Sequence, residues 1–207
     1  MALDPIPLPD DATLAHIDVP AAAEALIVDC EERYKAFQRR MIDEAVVAFV
    51  QSDLHTLHRT LAWVRNRNLA PGRALLEWGS GVGAVALLGA RLGFDAYGIE
   101  VEPTLVDDAE ELAQIHGIDA TFACGSFLPD DAGLAAQDLD EFAWLDTSTP
   151  AAYDDLELDI DDFDLVFAYP WPGEQEVVFE LFDSYAARGA CLLTNHGMEG
   201  LRLHRKA

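Results

Sequence analysis

Leu75-Leu76-Glu77-Trp78-Gly79-Ser80-Gly81-Val82-Gly83-Ala84 is the stretch whose reading decides the fold. A short apolar run ends in an acid, three alternating glycines follow, and an apolar helical pattern starts at once. That order describes a strand, a tight turn and a helix whose N-terminus is open to a ligand. Glycine at alternate positions removes Cβ where a backbone turns sharply and a ligand must come close.

Outward from this turn, strand and helix patterns alternate. A strand at 73–78 leads to a helix at 82–92, with Gly93 as its stop. A second strand, 95–100, ends in Glu100 and is followed by Pro103 and a helix to about His116. Ala120–Ala123 reads as a third strand leading to Cys124-Gly125-Ser126-Phe127. Residues 129–162 are acidic, rich in small residues and weakly periodic, which reads as a long insertion with a short helix near 134–142. Asp164–Tyr169 is an apolar strand running into Pro170-Trp171-Pro172-Gly173, then a helix at 174–187, a fifth strand at 190–194 and a short edge strand near 201–206. Such alternation predicts an α/β, doubly wound, mostly parallel Rossmann-like sheet of five to six strands with helices on both faces. Ligands of these sheets bind beyond the C-terminal strand ends.

Before the turn, residues 1–20 read as an irregular Pro-rich arm. A helical pattern spans 21–50, with Phe37, Met41, Ala45, Ala48 and Phe49 along one side. Ser52 reads as the N-cap of a further helix carrying Leu54, Leu57, Leu61 and Val64. Together these form an N-terminal helical cover.

Composition narrows the function. The 207 residues carry a formal net charge of −25; Lys35 and Lys206 are the only lysines, and no Lys or Arg stands between Arg91 and Arg188. Such a surface repels phosphate backbones, so nucleic acid is a disfavoured partner, while a cationic partner or a high-salt habitat suits it. Arg33, Lys35, Arg39, Arg40, Arg59, Arg65 and Arg67 are interleaved with acids and read as a solvated helix face. No apolar run is long enough to span a membrane, and the N-terminus has no signal-peptide pattern. Cys30, Cys124 and Cys191 are too scattered for a disulfide framework or a metal site; they read as small buried residues in a reducing, cytoplasmic setting.

The glycines alone also satisfy a loose dinucleotide fingerprint, G-x-G-x-x-G/A, with Glu100 about 20 residues on. Glu77 argues otherwise. A carboxylate just before the turn is unfavourable beside a pyrophosphate but suits an ammonium or sulfonium group. The Tyr169-Pro170-Trp171 strand end adds an aromatic platform suited to a cation.

On these residues the sequence resembles the class I S-adenosylmethionine-dependent methyltransferases, over about Arg73–Thr194. Glu77-x-Gly79-Ser80-Gly81-x-Gly83 is similar to their first motif. Glu100, with Val101 beside it, matches the acid that holds the ribose hydroxyls in that family. Gly125, Ser126 and Phe127 fall where the third strand meets the adenine, although members often carry Asp at the position of Ser126. Tyr169, Pro170 and Trp171 occupy the fourth motif, which the resemblance places beside the transferred methyl group. There Tyr169 would orient the acceptor and Trp171 would wall it. The Gly98-Ile99-Glu100 context is closest to small protein-lysine methyltransferases of the fold. The resemblance implies S-adenosylmethionine as cofactor, no metal, and a protein amine or small molecule as acceptor. It divides the chain into an arm and cover at 1–70 and a cofactor-binding domain at 71–207. The family's usual sheet has seven strands, so a chain ending soon after strand five implies a compact core or loss of the final hairpin.

Two other classes stay open: an NAD(P)-dependent oxidoreductase or dinucleotide sensor, and a non-catalytic module that keeps the cofactor pocket. Weaker candidates are His55 and His58 as an i, i+3 pair, His196 as a general base after strand five, and Tyr34, Phe37 and Gln38 as part of a lid. Gly-x-Ser-x-Gly hydrolase chemistry is set aside, because Trp78 stands where that motif needs glycine.

Overall fold

The computed structural model describes residues 3–41, 53–130, 132, 149–171 and 173–207. The helix expected near 134–142, Pro172 and the stripe at 45–49 lie outside them.

The described elements run β1 (Leu3–Ile6), α1 (Asp11–Leu14), α2 (Ala21–Met41), α3 (Leu54–Asn66), β2 (Ala74–Trp78), α4 (Ala84–Arg91), β3 (Asp95–Glu100), α5 (Pro103–His116), β4 (Ala120–Cys124), α6 (Tyr153–Leu156), a 3-10 turn (Ile160–Asp162), β5 (Leu165–Ala168), α7 (Gln175–Tyr185), β6 (Cys191–Asn195), a second 3-10 turn (Gly197–Glu199) and β7 (Leu201–Lys206). They build one seven-stranded sheet in the order β1-β7-β6-β5-β2-β3-β4. The four pairings from β6 to β4 are parallel, and β7 and β1 add two antiparallel pairings at the other edge.

The sheet therefore exceeds the expected five to six strands. The seventh comes from the supposed irregular arm: Leu3–Ile6 pairs with β7 over Leu3↔Lys206 to Ile6↔Leu203. Pro5 is tolerated there because an edge strand leaves alternate N–H groups unpaired. A single strand, β7, follows the fifth strand of the sequence reading (β6) and runs antiparallel to it, and the N-terminal strand takes the outer edge.

Alternating side chains divide the core in two. Leu75, Leu165, Phe167 and Leu193 face a cluster built with α2, α3, α4 and α5. Leu76, Trp78, Val166 and Leu192 face a second cluster with Tyr153, Leu156, Ile160, Phe163 and α7. Helices on both faces follow from this period of two in strands that are buried throughout. The residue that caps α3 is Asp53, not Ser52: its carboxylate accepts from the backbone N–H groups of His55 and Thr56. α5 begins with Pro103 behind the capping Glu102 and stops at left-handed Gly117. α2 is tied to α5 by Arg33 on Asp108 and Glu111, Arg40 on Asp108, and Asp29 on His116. Part of the basic segment is thus engaged with a neighbouring helix rather than simply solvated.

Candidate active site

β2 lies between β3 and β5: the chain adds β3 and β4 on one side of it and then crosses over to add β5 and β6 on the other, so the strand order reverses there. That reversal opens a crevice at the C-terminal strand ends. The glycine turn sits in it. Gly79, Gly81 and Gly83 all have positive φ, at 64°, 54° and 72°. The turn is closed by the Ser80 N–H on Ile99 O at 2.9 Å and the Gly83 N–H on Ser80 O at 2.8 Å. Two of its glycines serve different ends. A Cβ on Gly83 would lie 2.5 Å from the Phe122 ring, so this glycine lets α4 approach the sheet. A Cβ on Gly79 would meet nothing within 4 Å, so this one leaves open space above the turn.

Glu77 stands near the end of β2 and turns toward the start of α4. Its two carboxyl oxygens accept from the N–H groups of Val85 at 3.3 Å and Ala86 at 2.9 Å, and the residue is 3% exposed. It satisfies the first turn of α4, whose N-cap Gly83 has no side chain to do so. Burial pushes its pKa up to about 8, with a further upward push from Glu100. Ser80 is also turned inward: its hydroxyl is buried without a hydrogen-bond partner among the described residues, and it packs over Gly98. Its contribution to a ligand is through backbone.

Glu100 is better placed. One oxygen accepts from the Gly81 N–H at 2.8 Å and the other from the Glu102 N–H at 3.0 Å, which straps the end of β3 to the turn. Burial pushes its pKa up. Val101 follows it and is 39% exposed, an apolar surface at the mouth. Cys124 stands opposite, its thiol donating to Val101 O, and it is exposed, against the expectation of three buried cysteines. Desolvation and then the charges of Glu100, Glu102, Asp107 and Asp155 push that thiol up, which marks an acidic rim around this edge.

On the adenine side of the expected site, the Gly125 N–H donates to Glu100 O at 2.9 Å and the Ser126 N–H to Pro150 O at 2.9 Å. Ser126 bridges Ala151 in parallel, and its hydroxyl accepts from Leu128 N–H at 3.1 Å. The Ser126 side chain thus closes its own loop instead of presenting a polar group to a base. Phe127 stacks on Trp78 with ring centroids 5.3 Å apart. The Trp78 indole N–H donates to the Tyr153 hydroxyl at 3.0 Å, which donates to Phe127 O at 2.7 Å. This aromatic relay, absent from the sequence reading, folds part of the acidic insertion over the strand ends. Trp78 beside the acid was its one visible signal.

The register Trp78↔Ala168 makes Gly79 and Tyr169 leave the sheet side by side. Tyr169 is half-buried, and burial pushes its pKa up. Its hydroxyl lies against the turn after β6, 3.1 Å from where a Gly197 Cβ would be. Pro170 is buried, and the half-buried Trp171 has its N–H held by Glu174 at 3.2 Å. His196 is bonded to the Thr194 hydroxyl at 2.8 Å and stacks on Phe179, and burial pushes its pKa down. Met198, wholly exposed, forms the outer rim. On the other wall Tyr34 of α2 is buried in the same cluster as Val82 of the turn.

The histidines of α3 are apart in role. His55 pairs with Glu24 at 2.8 Å, and His58 is buried. Among the described residues no group of three or more His, Cys, Asp or Glu side chains is placed to hold a metal, and no helix is long and apolar enough to cross a membrane.

No protein-family model matches the sequence. Among curated relatives, the ribosomal protein L11 methyltransferase of Cupriavidus taiwanensis is 31% identical over 94 residues, 45% of this chain and 30% of that protein. The Thermus thermophilus protein of the same name is 35% identical over 60 residues, 29% of this chain and 24% of its own length. The chain thus spans less than a third of the curated relatives it matches. Of solved structures, cofactor-bound Rv0187 from MTB superposes with a TM-score of 0.51 at 17% identity, over 91% of this chain and 73% of that one. A Klebsiella pneumoniae protein assigned as an O-methyltransferase gives 0.50 at 15% identity, over 87% and 67%. The fold is that of the class I S-adenosylmethionine-dependent methyltransferases.

Proposed function

We propose that the chain is an S-adenosylmethionine-dependent methyltransferase that acts on a protein amine or a small molecule. The observation that carries this reading is the pairing of open space above left-handed Gly79 with the Glu100 carboxylate strapped to Gly81. The residues present fit that cofactor. Glu100 offers a carboxylate for ribose hydroxyls, Val101 an apolar surface for a base, and Gly79 a backbone that a chain end can approach. The acidic rim of Glu102, Asp107 and Asp155 suits a ligand with a sulfonium and an ammonium and no phosphate. A dinucleotide would bring a pyrophosphate into the same field, which disfavours the oxidoreductase alternative.

When bound, the cofactor supplies a methyl group for in-line displacement by an acceptor lone pair. The protein's task is then alignment rather than strong acid–base work. Tyr169 and Trp171, emerging beside Gly79, are the groups we assign to aligning and walling the acceptor. Glu77 acts on the ligand only through the helix terminus it secures. A protein acceptor is favoured by the acidic surface and by the match to ribosomal protein L11 methyltransferases. The N-terminal helices α2 and α3 close the same face of the sheet and form its cover.

Calorimetric titration with S-adenosylmethionine, S-adenosylhomocysteine and NAD tests the cofactor. Binding of the first two is expected; binding of NAD alone overturns the reading. Transfer of labelled methyl groups to basic proteins, small amines and RNA then separates the acceptors, and labelling of RNA alone would reverse the argument from charge.

A further inference from the structure

The loop that leaves β4 is held by one short segment of the chain, residues 150–153. The Ser126 N–H donates to Pro150 O at 2.9 Å, and the Ala152 N–H donates to Ser126 O at 3.0 Å. Gly125 admits this close approach, because a Cβ there would lie 2.9 Å from both Pro150 O and the Ala152 Cβ. Tyr153, 7% exposed, completes the grip. Its hydroxyl donates to Phe127 O at 2.7 Å and accepts from the Trp78 indole N–H at 3.0 Å. A hydroxyl carries one proton, so accepting from Trp78 leaves that proton for Phe127 O. Trp78 directly precedes Gly79, and its ring also stacks on Phe127. The relay therefore ties the β4 loop to the glycine turn.

These bonds leave one backbone donor in the loop. The peptide units before and after Phe127 are fixed through Ser126 O and Phe127 O, and the Leu128 N–H is taken by the Ser126 hydroxyl at 3.1 Å. Among the described residues no bond occupies the Phe127 N–H between them. A donor held in place on both sides suits an acceptor atom on a ligand. N1 of adenine is such an acceptor, whereas N1 of hypoxanthine carries a proton. From this geometry we propose that Tyr153 is a positioning residue: through Phe127 it sets the β4 loop against the glycine turn to meet the base of the cofactor, and so makes the segment 150–153 part of the site. The proposal rests on the methyltransferase reading above.

Tyr153→Phe keeps the ring and removes both of its bonds. S-adenosylhomocysteine and S-inosylhomocysteine differ only in the base, where an amino group and an N1 acceptor become a carbonyl and an N1–H. Calorimetry on wild type and variant with both ligands, at a temperature where melts show both proteins folded, separates positioning from general damage. Wild type should prefer the adenine ligand by about ten- to a hundredfold, the scale of one mismatched hydrogen-bonding group. In the variant S-adenosylhomocysteine should lose about tenfold and S-inosylhomocysteine less than about threefold, so that the preference shrinks. Equal losses for both ligands would make Tyr153 a purely structural residue, and no loss for either would remove it from the site. Equal binding of both by wild type would show that the loop does not read the base; each of these results overturns the proposal. Phe127→Leu gives a second route. It removes the ring and keeps the held carbonyl, so both ligands should weaken alike and the preference should survive, because stacking tolerates any base. A preference lost with the ring would place the reading in the side chain and also overturn the proposal. If wild type binds neither ligand, the methyltransferase reading itself fails, and that result is distinct from the others.

Discussion

Substituting alanine at Gly79 and at Gly83 separates the two uses of the glycine turn. Both residues are left-handed, so each Gly→Ala change costs about 1–2 kcal/mol of backbone strain. At Gly79 the added methyl meets nothing within 4 Å, and strain is the whole cost to the free protein. For a domain of this size that lowers the melting temperature by about 2–8 °C. At Gly83 the methyl lies 2.5 Å from the Phe122 ring and 3.0 Å from Ala109, and neither sits on a flexible tip. Overpacking adds about 1–3 kcal/mol, for a total of about 2–5 kcal/mol. The melting temperature should then fall by about 4–20 °C. Ligand binding should rank differently. The Gly79 methyl projects into the space assigned to the cofactor, so Gly79→Ala should lose at least about 100-fold in S-adenosylhomocysteine affinity, the scale of a blocked contact worth about 3 kcal/mol. Thermal melts and calorimetry on the two variants make the comparison. A Gly79→Ala protein that binds within twofold of wild type refutes the assignment of that open space.

Three further changes probe the surrounding groups. Glu100→Ala frees the Gly81 and Glu102 N–H groups and removes the ribose-binding carboxylate, and should weaken S-adenosylhomocysteine by about 1–3 kcal/mol; unchanged affinity removes Glu100 from that role. Glu77 has its pKa raised to about 8, so the folded protein keeps a proton that the unfolded chain releases above the model-peptide value of 4.5. Its contribution to stability is therefore full below that lower value and is lost as pH rises to about 8. The histidines with lowered pKa, His58, His196 and His204, act only below their ordinary range, so melts between pH 7 and about 8.5 leave the two buried acids Glu77 and Glu100, and a variant of the first separates them. Glu77→Gln should flatten that slope, and parallel wild-type and variant slopes would contradict the assignment. Tyr153→Phe leaves the buried Trp78 indole N–H and the Phe127 carbonyl unpaired, which should cost about 1–3 kcal/mol and lower the melting temperature by about 2–12 °C. No change in the melt would show that the relay is replaceable.

The glycine turn, the parallel strands around it and the sheet edge where they end could all be read locally, because each is written in a short run of residues. The turn at 79–83 needs its glycines, and strands β2, β5 and β6 are mostly apolar, with polar residues only at their C-terminal ends, because both faces are covered. What escaped was non-local. Leu3–Ile6 becomes a strand only because β7, almost 200 residues away, offers an edge, and Leu-Asp-Pro-Ile carries no strand signal of its own. The direction of Glu77 depends on where α4 starts. A helix beginning at Ala84 puts two unsatisfied N–H groups over the carboxylate, and they capture it before a ligand can. Ser126 matched a family position in register, yet its hydroxyl was claimed by Leu128 N–H in its own loop. Spacing places a side chain on an element; competition among neighbouring donors and acceptors decides which way it faces.

That competition also bears on the acceptor. The chain's few cations are spent internally: Arg33 and Arg40 on α5, Arg73 on Asp95, Arg91 on His116 O, Arg202 on Glu199, and Arg205 and Lys206 on backbone carbonyls of Leu69 and Ala186. None of these side chains comes from residues 92–187, which include the glycine-facing ends of β3, β4 and β5. An acceptor approaching Tyr169 and Trp171 therefore meets strand ends that carry aromatic surface and no Lys or Arg, and Arg202 beside them is paired with Glu199. A phosphate-bearing acceptor would gain no counter-charge there and would pay repulsion from a chain of net charge −25. An amine gains on both counts: its ammonium is drawn to the rim, and an aromatic wall can hold it as it loses its proton and exposes its lone pair. Under the proposed reading, the acidity that excludes a dinucleotide from the glycine turn also selects the acceptor.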